Sequence, residues 1–225
     1  MTIHGLDDAR RILGPAVLGP EEVTAMLGAG ALGDLTATER SAVERIPFDR
    51  ATLEAARSGD MLVLRLGRHG GQPLTMMALT TALGGGFDPR VHRGVGYSLR
   101  DEWTIDTQPF ATQETCEAGW YLVRRTLLPA TCNRLYRLQD DLLSALPDGQ
   151  LRRPRRRSAI EIAYDTLLWH RARGERLLAD AWDWSRTPSS DHGFVALGGF
   201  GDAGLGVIAY SRAVRFGSLG VCPQR

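Results

Sequence analysis

The chain has 225 residues, 43% of them hydrophobic and 24% charged, with a formal net charge of +1. That size and balance fit one large globular domain, or one domain with a helical extension, with room for a sizeable core. A nearly neutral chain argues against a protein that engages nucleic acid or membranes through its overall field.

Residues 1–45 read as short helices divided by Gly and Pro. Pro20-Glu21-Glu22 is a favourable first turn, because acidic side chains suit the positive end of a helix. Thr36 and Glu39 have the spacing of a capping box ahead of Arg40-Ser41-Ala42-Val43. No period here is long enough for a separate core. The segment is therefore expected to be accessory, packed on a main domain over 46–225 or turned toward another copy. Asp49 is placed to cap a helix over 51–57 that Gly59 closes. Residues 61–66, Met-Leu-Val-Leu-Arg-Leu, predict a strand apolar on both faces, and Arg68-His69-Gly70-Gly71 a tight turn. Residues 74–83 predict a short helix ended by Gly84-Gly85-Gly86. Residues 120–125 alternate like a core-facing strand, and Trp103, Phe110, Trp120 and Tyr121 are read as core anchors.

Two longer helices follow. The spacing over 129–146 buries Leu135, Leu138, Leu142 and Leu146 and leaves Arg134, Arg137, Asp140 and Asp141 outside. Pro147-Asp148-Gly149 ends it as a turn. The next begins at Ser158 with Glu161 at capping-box spacing, buries Ile160, Tyr164, Leu167 and Leu168, and is interrupted at Gly174.

The stretch 193–221, GFVALGGFGDAGLGVIAYSRAVRFGSLGV, interleaves two kinds of position. Val195, Leu197, Gly198, Phe200, Gly204, Leu205, Val207, Arg215, Leu219, Gly220 and Val221 look architectural, with strand alternation and glycines at turns. The others obey no chemical rule: Phe194, Ala196, Gly199, Gly201, Asp202, Ala203, Gly206, Ile208, Ala209, Tyr210, Ser211, Val214, Phe216, Gly217 and Ser218. Arg212 stands among them as a polar anchor. A fixed frame carrying arbitrary side chains suits a binding surface better than catalysis.

The pattern V-x-L-G-x-F-x-x-x-G-L-x-V followed by R-x-x-x-L-G-V resembles the variable region, here about 190–221, of proteins diversified by diversity-generating retroelements. Upstream, W-Y-L-V-R-R-x-x-x-P, the helix with Gln139, the A-Y-D-x-x-L helix and G-E-R-L-L are similar in order to such proteins. The resemblance implies an α+β, C-type lectin-like domain, its helices behind a small antiparallel sheet and an early strand paired with a terminal one. It implies a non-catalytic display of changeable residues toward a protein or other macromolecular ligand, with no cofactor and no calcium. Adenine mutagenesis of Asn codons cannot yield Lys, Glu, Gln, Met or Trp. The chain has 10 Glu, 6 Gln, 5 Met and 5 Trp, and 193–221 contains none of them. The Gly-Gly-Ser-Trp-like segment and Gly-Phe-Arg ending of better-known branches are absent; this chain ends Leu219-Gly220-Val221-Cys222-Pro223-Gln224-Arg225.

Other chemistry finds little support. All 27 basic residues are Arg, which a GC-rich genome explains. Arg152-Arg153-Pro154-Arg155-Arg156-Arg157 reads first as a solvated loop, and second as a grip for phosphates or an acidic partner. It lacks interleaved aromatics to stack on bases, so nucleic acid is disfavoured. Cys116, Cys132 and Cys222 make neither a disulfide framework nor a zinc signature. His4, His69, His92, His170 and His192 show no metal-binding spacing, and no nucleophile or phosphate-loop motif occurs, so neither a catalytic nor a metal site is assigned. The N-terminus lacks a signal-peptide core, giving a cytoplasmic or virion-associated expectation with no membrane partner. Two other readings stand beside the first: an oligomeric structural or phage-related protein, and a nucleic-acid module using 152–157.

Overall fold

The computed structural model describes residues 5–83, 97–99, 105–146, 153–190 and 193–225, with 97–99 described in the main chain only. Expectations at His4, Gly84-Gly85-Gly86, His92, Trp103, Pro147-Asp148-Gly149, Arg152 and His192 lie outside these residues.

In chain order, α1 (Leu6–Leu13) is followed by β1 (Val17–Leu18), α2 (Pro20–Leu27), α3 (Ala37–Glu44) and α4 (Arg50–Ala56). Pro20 fills the first helical position of α2, and the Glu22 carboxylate accepts the Gly19 amide at 2.8 Å. Thr36 and Glu39 form the expected reciprocal cap of α3, and Asp49 accepts the Thr52 amide at the start of α4. Next come β2 (Asp60–Arg65) and the hairpin of β3 (Arg68–His69) with β4 (Gln72–Pro73). Gly70 and Gly71, at φ of 58° and 73°, supply the two left-handed residues that such a two-residue turn requires. After α5 (Met76–Ala82), β5 (Tyr97–Leu99), α6 (Pro109–Gln113) and β6 (Gly119–Arg124) come α7 (Tyr136–Ser144) and α8 (Ala159–Arg173). The chain then runs through β7 (Trp182–Pro188), β8 (Phe194–Gly201), β9 (Gly204–Tyr210) and β10 (Leu219–Gly220).

The architecture is mixed α+β with small sheets. One sheet has the order β1-β2-β6, and the other β10-β7-β8-β9-β5. β2 is buried along its whole length and pairs antiparallel with β6 from Asp60–Arg124 to Arg65–Gly119. The last residues of the chain run beside β6: the Leu122 amide donates to Arg225 O at 3.1 Å, and the Arg225 amide donates back to Leu122 O at 2.8 Å.

The N-terminal segment is more than accessory. β1 pairs in parallel with β2, at Val17–Leu62 and Leu18–Val63, and Ala9, Leu13, Val23 and Met26 bury in the same core as the rest. A two-residue strand set between glycines leaves no period to read, which is why the sequence assigns this segment no core. Among the described residues no helix is long and apolar enough to cross a membrane.

α8 contacts β1 and β2 of one sheet and β7 and β8 of the other. Its N-cap Ser158, capping-box Glu161 and left-handed Gly174 at the end follow the sequence signals. Every residue from Ala159 to Trp169 is buried, so the stripe of Ile160, Tyr164, Leu167 and Leu168 is one face of a helix enclosed all round.

α7 differs from its expected stripe. A 3-10 turn at Pro129–Thr131 precedes it, and the helix buries Tyr136, Gln139 and Leu143, while Leu138 is 45% exposed. Leu135, Leu142 and Leu146 are only half-buried. Polar partners decide this register. Gln139 Nε2 donates to Thr131 O at 2.8 Å, and Gln139 Oε1 accepts from Arg156 at 3.0 Å. The Tyr136 hydroxyl donates to Ser185 O at 3.0 Å.

Candidate binding face

Strand alternation divides β8 and β9 into two faces. Toward the core, Val195, Leu197, Leu205 and Val207 have no exposure, and Phe200 has 1%. Leu219 and Val221 are likewise sealed. The register aligns the opposite face in rows: Trp184–Ala196–Ile208, Trp182–Gly198–Gly206 and Phe194–Tyr210. Those residues belong to a satellite cluster with Tyr136, Val214 and Phe216, separate from the main core.

The middle row explains its glycines. A Cβ on Gly206 would stand 2.5 Å from Gly198 O and 2.7 Å from Trp182 Cη2. On Gly198 it would stand 1.9 Å from Ala181 O. Gly199, at φ +55°, would meet Trp182 Cζ2 at 2.9 Å. The indole of Trp182 thus lies on a floor of glycines that no side chain can replace without displacing it. Gly199 and Gly206, expected among the changeable positions, are fixed by this contact. So is Ala196, which is wholly buried in the row between Trp184 and Ile208. A single strand period cannot reveal an indole arriving from the neighbouring strand.

The other positions expected to be changeable surround that floor. Phe194, Gly201, Ile208, Ala209, Tyr210, Val214, Phe216 and Ser218 are half-buried. Asp202, Ala203, Ser211, Arg212 and Gly217 are exposed in the β8–β9 turn and the 211–218 loop. Arg215, expected in the frame, is also exposed. Ring contacts knit the face together: Tyr136–Phe194 at 4.4 Å, Tyr136–Trp184 at 4.9 Å and Tyr210–Phe216 at 5.6 Å between centroids. The Arg212 guanidinium lies 4.6 Å from the Phe194 ring centre. Trp184 Nε1 donates to Phe194 O at 3.2 Å. Asp202 pairs with Arg176 at 2.8 Å, in solvent. Trp182, Trp184 and Tyr136 are the members that sequence reading missed; the Trp-Asp-Trp alternation of β7 carried the signal.

Behind the face, Arg155, Arg156 and Arg157 of the arginine run are structural, not part of a solvated loop. Arg156 Nη1 donates to Trp184 O at 2.8 Å, its Nε pairs with Asp140 at 2.8 Å, and its guanidinium lies 4.0 Å from the Tyr136 ring centre. Arg157 is 2% exposed and pairs with Asp165 and Asp183, each at 2.7 Å. Arg155 pairs with Glu161 at 3.0 Å. Arg65, fully buried, joins Asp165, Glu161 and Gln224. Gln224 Nε2 in turn donates to Glu161 at 3.0 Å, and the Cys222 amide to Asp183 at 2.9 Å. Residues 155–157 are therefore taken by internal partners, which removes most of the cations a nucleic-acid reading needs. Local sequence could not show this, because the acids they meet come from other elements.

Burial opposes ionisation of Glu161, but Arg65, Arg155 and the Ser158 amide outweigh it and hold the carboxyl well below its usual range. Burial pushes Asp183 up against the pull of Arg157, and pushes the Tyr136 phenol up to about 12. Among the described residues no group of three or more His, Cys, Asp or Glu side chains could hold a metal ion. His170 packs edge-on against Phe200 at 5.0 Å. The face offers apolar rings, a stacked cation and exposed polar loop residues, a combination suited to macromolecular recognition. Comparison with protein-family models, with curated proteins and with solved structures finds no match.

Proposed function

We propose that this chain is a non-catalytic binding protein of the retroelement-diversified kind, with a C-type lectin-like fold and a changeable face centred on β8, β9 and the 211–218 loop. The observation that carries the reading is the two-sided build of those strands. Inward residues are sealed against α8 and the core, while Phe194, Ile208, Tyr210, Val214 and Phe216 stand half-covered on the other side. The pairing of the chain end with β6 is in keeping with such a fold.

The face then has a permanent and an exchangeable part. Trp182, Trp184 and Tyr136 lie outside 193–221 and form the permanent floor. Tryptophan is among the residues that mutated Asn codons cannot produce, so a floor built from upstream residues survives every round of exchange. Phe194, Ile208, Tyr210 and Phe216, with Arg212 above the rings, are the anchors in this copy. Gly201, Asp202, Ala203, Ala209, Ser211, Val214, Gly217 and Ser218 vary around them. Binding energy concentrates in a few aromatic or cationic residues, so exchanging these changes the partner without changing the scaffold.

The test is the DNA beside the gene. A reverse transcriptase gene and a near-copy of the last segment should lie nearby, with AAC or AAT at the codons for Ile208, Tyr210 and Phe216. That copy should spell out Gly198, Gly206, Leu197 and Val207 unchanged. A locus lacking both elements would overturn the reading.

A further inference from the structure

Away from the face, where β6 ends, Arg124 and Arg125 meet Arg225 around a cavity of about 420 Å³ that Ser58, Asp60 and Leu177 also line. The Arg124 side chain makes no hydrogen bond or ion pair with the described residues, and the buried Nε atoms of Arg124 and Arg125 have no acceptor. Arg125 is steadied by the Trp169 ring, 5.4 Å from its guanidinium, and makes one long contact of 3.4 Å to Ser58 O. Arg225 pairs with Asp60 at 2.9 Å, and Asp60 is the sole carboxylate side chain among the described residues of the cavity wall. Among the described residues three guanidinium groups thus face one carboxylate, an excess of two positive charges.

The contrast with the rest of the protein is informative. Arg65, Arg156 and Arg157 each have acceptors on several nitrogens. Where this fold uses arginine as a strut, it satisfies the fork; around this cavity it leaves the forks open. An excess of guanidinium charge around one cavity favours an anionic occupant. Arginine forks match the planar oxygen pairs of oxyanions, and a phosphate monoester carries about −1.5 to −2 charges at neutral pH. Leu177, Ala55 and Ala56 give the same cavity an apolar side.

We propose that this cavity binds a small phosphate monoester, its phosphate held by Arg124 and Arg125 and its organic part against Leu177. The inference stands apart from the changeable face and does not depend on it.

Calorimetric titration of the full chain with inorganic phosphate and ribose 5-phosphate, and with ribose as the uncharged control, tests the site. Saturable binding of both phosphates and none of ribose is expected. Arg124→Gln should weaken it at least tenfold, Arg124→Lys should weaken it several-fold by losing the fork, and Arg134→Gln just ahead of α7 should leave it unchanged. Because Arg124 has no internal acceptor, its variants should melt within a few degrees of the parent. Absence of saturable phosphate binding, or equal affinity in parent and Arg124→Gln, overturns the proposal. So does preferential capture of duplex DNA lost on the same substitution, which would make the ligand a polymer backbone.

Discussion

On the inner side of β8 and β9, Val195, Leu197, Leu205 and Val207 are closed off completely, whereas on the outer side Phe194, Ile208 and Tyr210 are half-covered. The same two strands, read at odd and even positions, thus obey different constraints. The inner side depends on volume and on a buried charge network, both of which tolerate little change. The outer side is layered. Its floor of Trp182 over Gly198 and Gly206 has no room for another side chain, while the residues standing above or around that floor are half-buried or exposed. Close contact with the Trp182 indole, which alternation alone does not show, is what fixes Gly199 and Gly206.

That contrast can be broken most forcefully at the network. Arg157→Ala would leave Asp183 and Asp165 short of a buried partner, and the expected loss is about 3–5 kcal/mol in urea unfolding. A loss near zero would mean that the charges behind the sheet do not hold it. Next in size, Leu197→Ala should cost about 2–5 kcal/mol, while Ile208→Ala, directly outside, should cost about 1. Equal losses would erase the distinction between the two sides.

The floor supplies a third comparison. Gly206→Ala forces a methyl against Gly198 O and the Trp182 ring, for an expected cost of about 1–3 kcal/mol. Ala203→Ser in the exposed turn should stay within about 0.5 kcal/mol. The smallest effect concerns acid. Glu161 is held below its unfolded value of about 4.3, so its contribution is present above that pH and is lost as the pH falls. Glu161→Gln should therefore flatten the acid limb of stability by up to about 1.4 kcal/mol per pH unit. Asp183, pushed up by burial, acts in the opposite sense, its contribution fading as the pH rises through its own value. Denaturant melts between pH 2.5 and 6, taken as about the accessible range, would read the two apart.

Much of the scaffold was legible because it is local. The caps at Thr36, Asp49 and Ser158, the Gly70-Gly71 turn and the alternation at Val195/Leu197 and Leu205/Val207 each need only a few neighbouring residues. What was not legible is non-local. Arg157 meets Asp183 and Arg65 meets Asp165, a hundred residues away in the second case, so Arg156 and Arg157 looked solvated although they are interior. Gln139 displaced the leucines of α7 from the buried side because Arg156 and Thr131 needed it there. Gly206 and Ala196 looked arbitrary because the tryptophans that fix them sit on β7.

One feature of the chain end bears on how such a protein could survive heavy rewriting. Gln224 bonds both Arg65 and Glu161, Cys222 bonds Asp183, and Arg225 bonds Leu122, so the residues after Ser218 close the network behind the sheet. A copy whose reading frame slips between Phe194 and Ser218 never makes Cys222, Gln224 and Arg225, so its interior stays open. If residues 194–218 are rewritten as proposed, only copies kept in frame through Gln224 close that network.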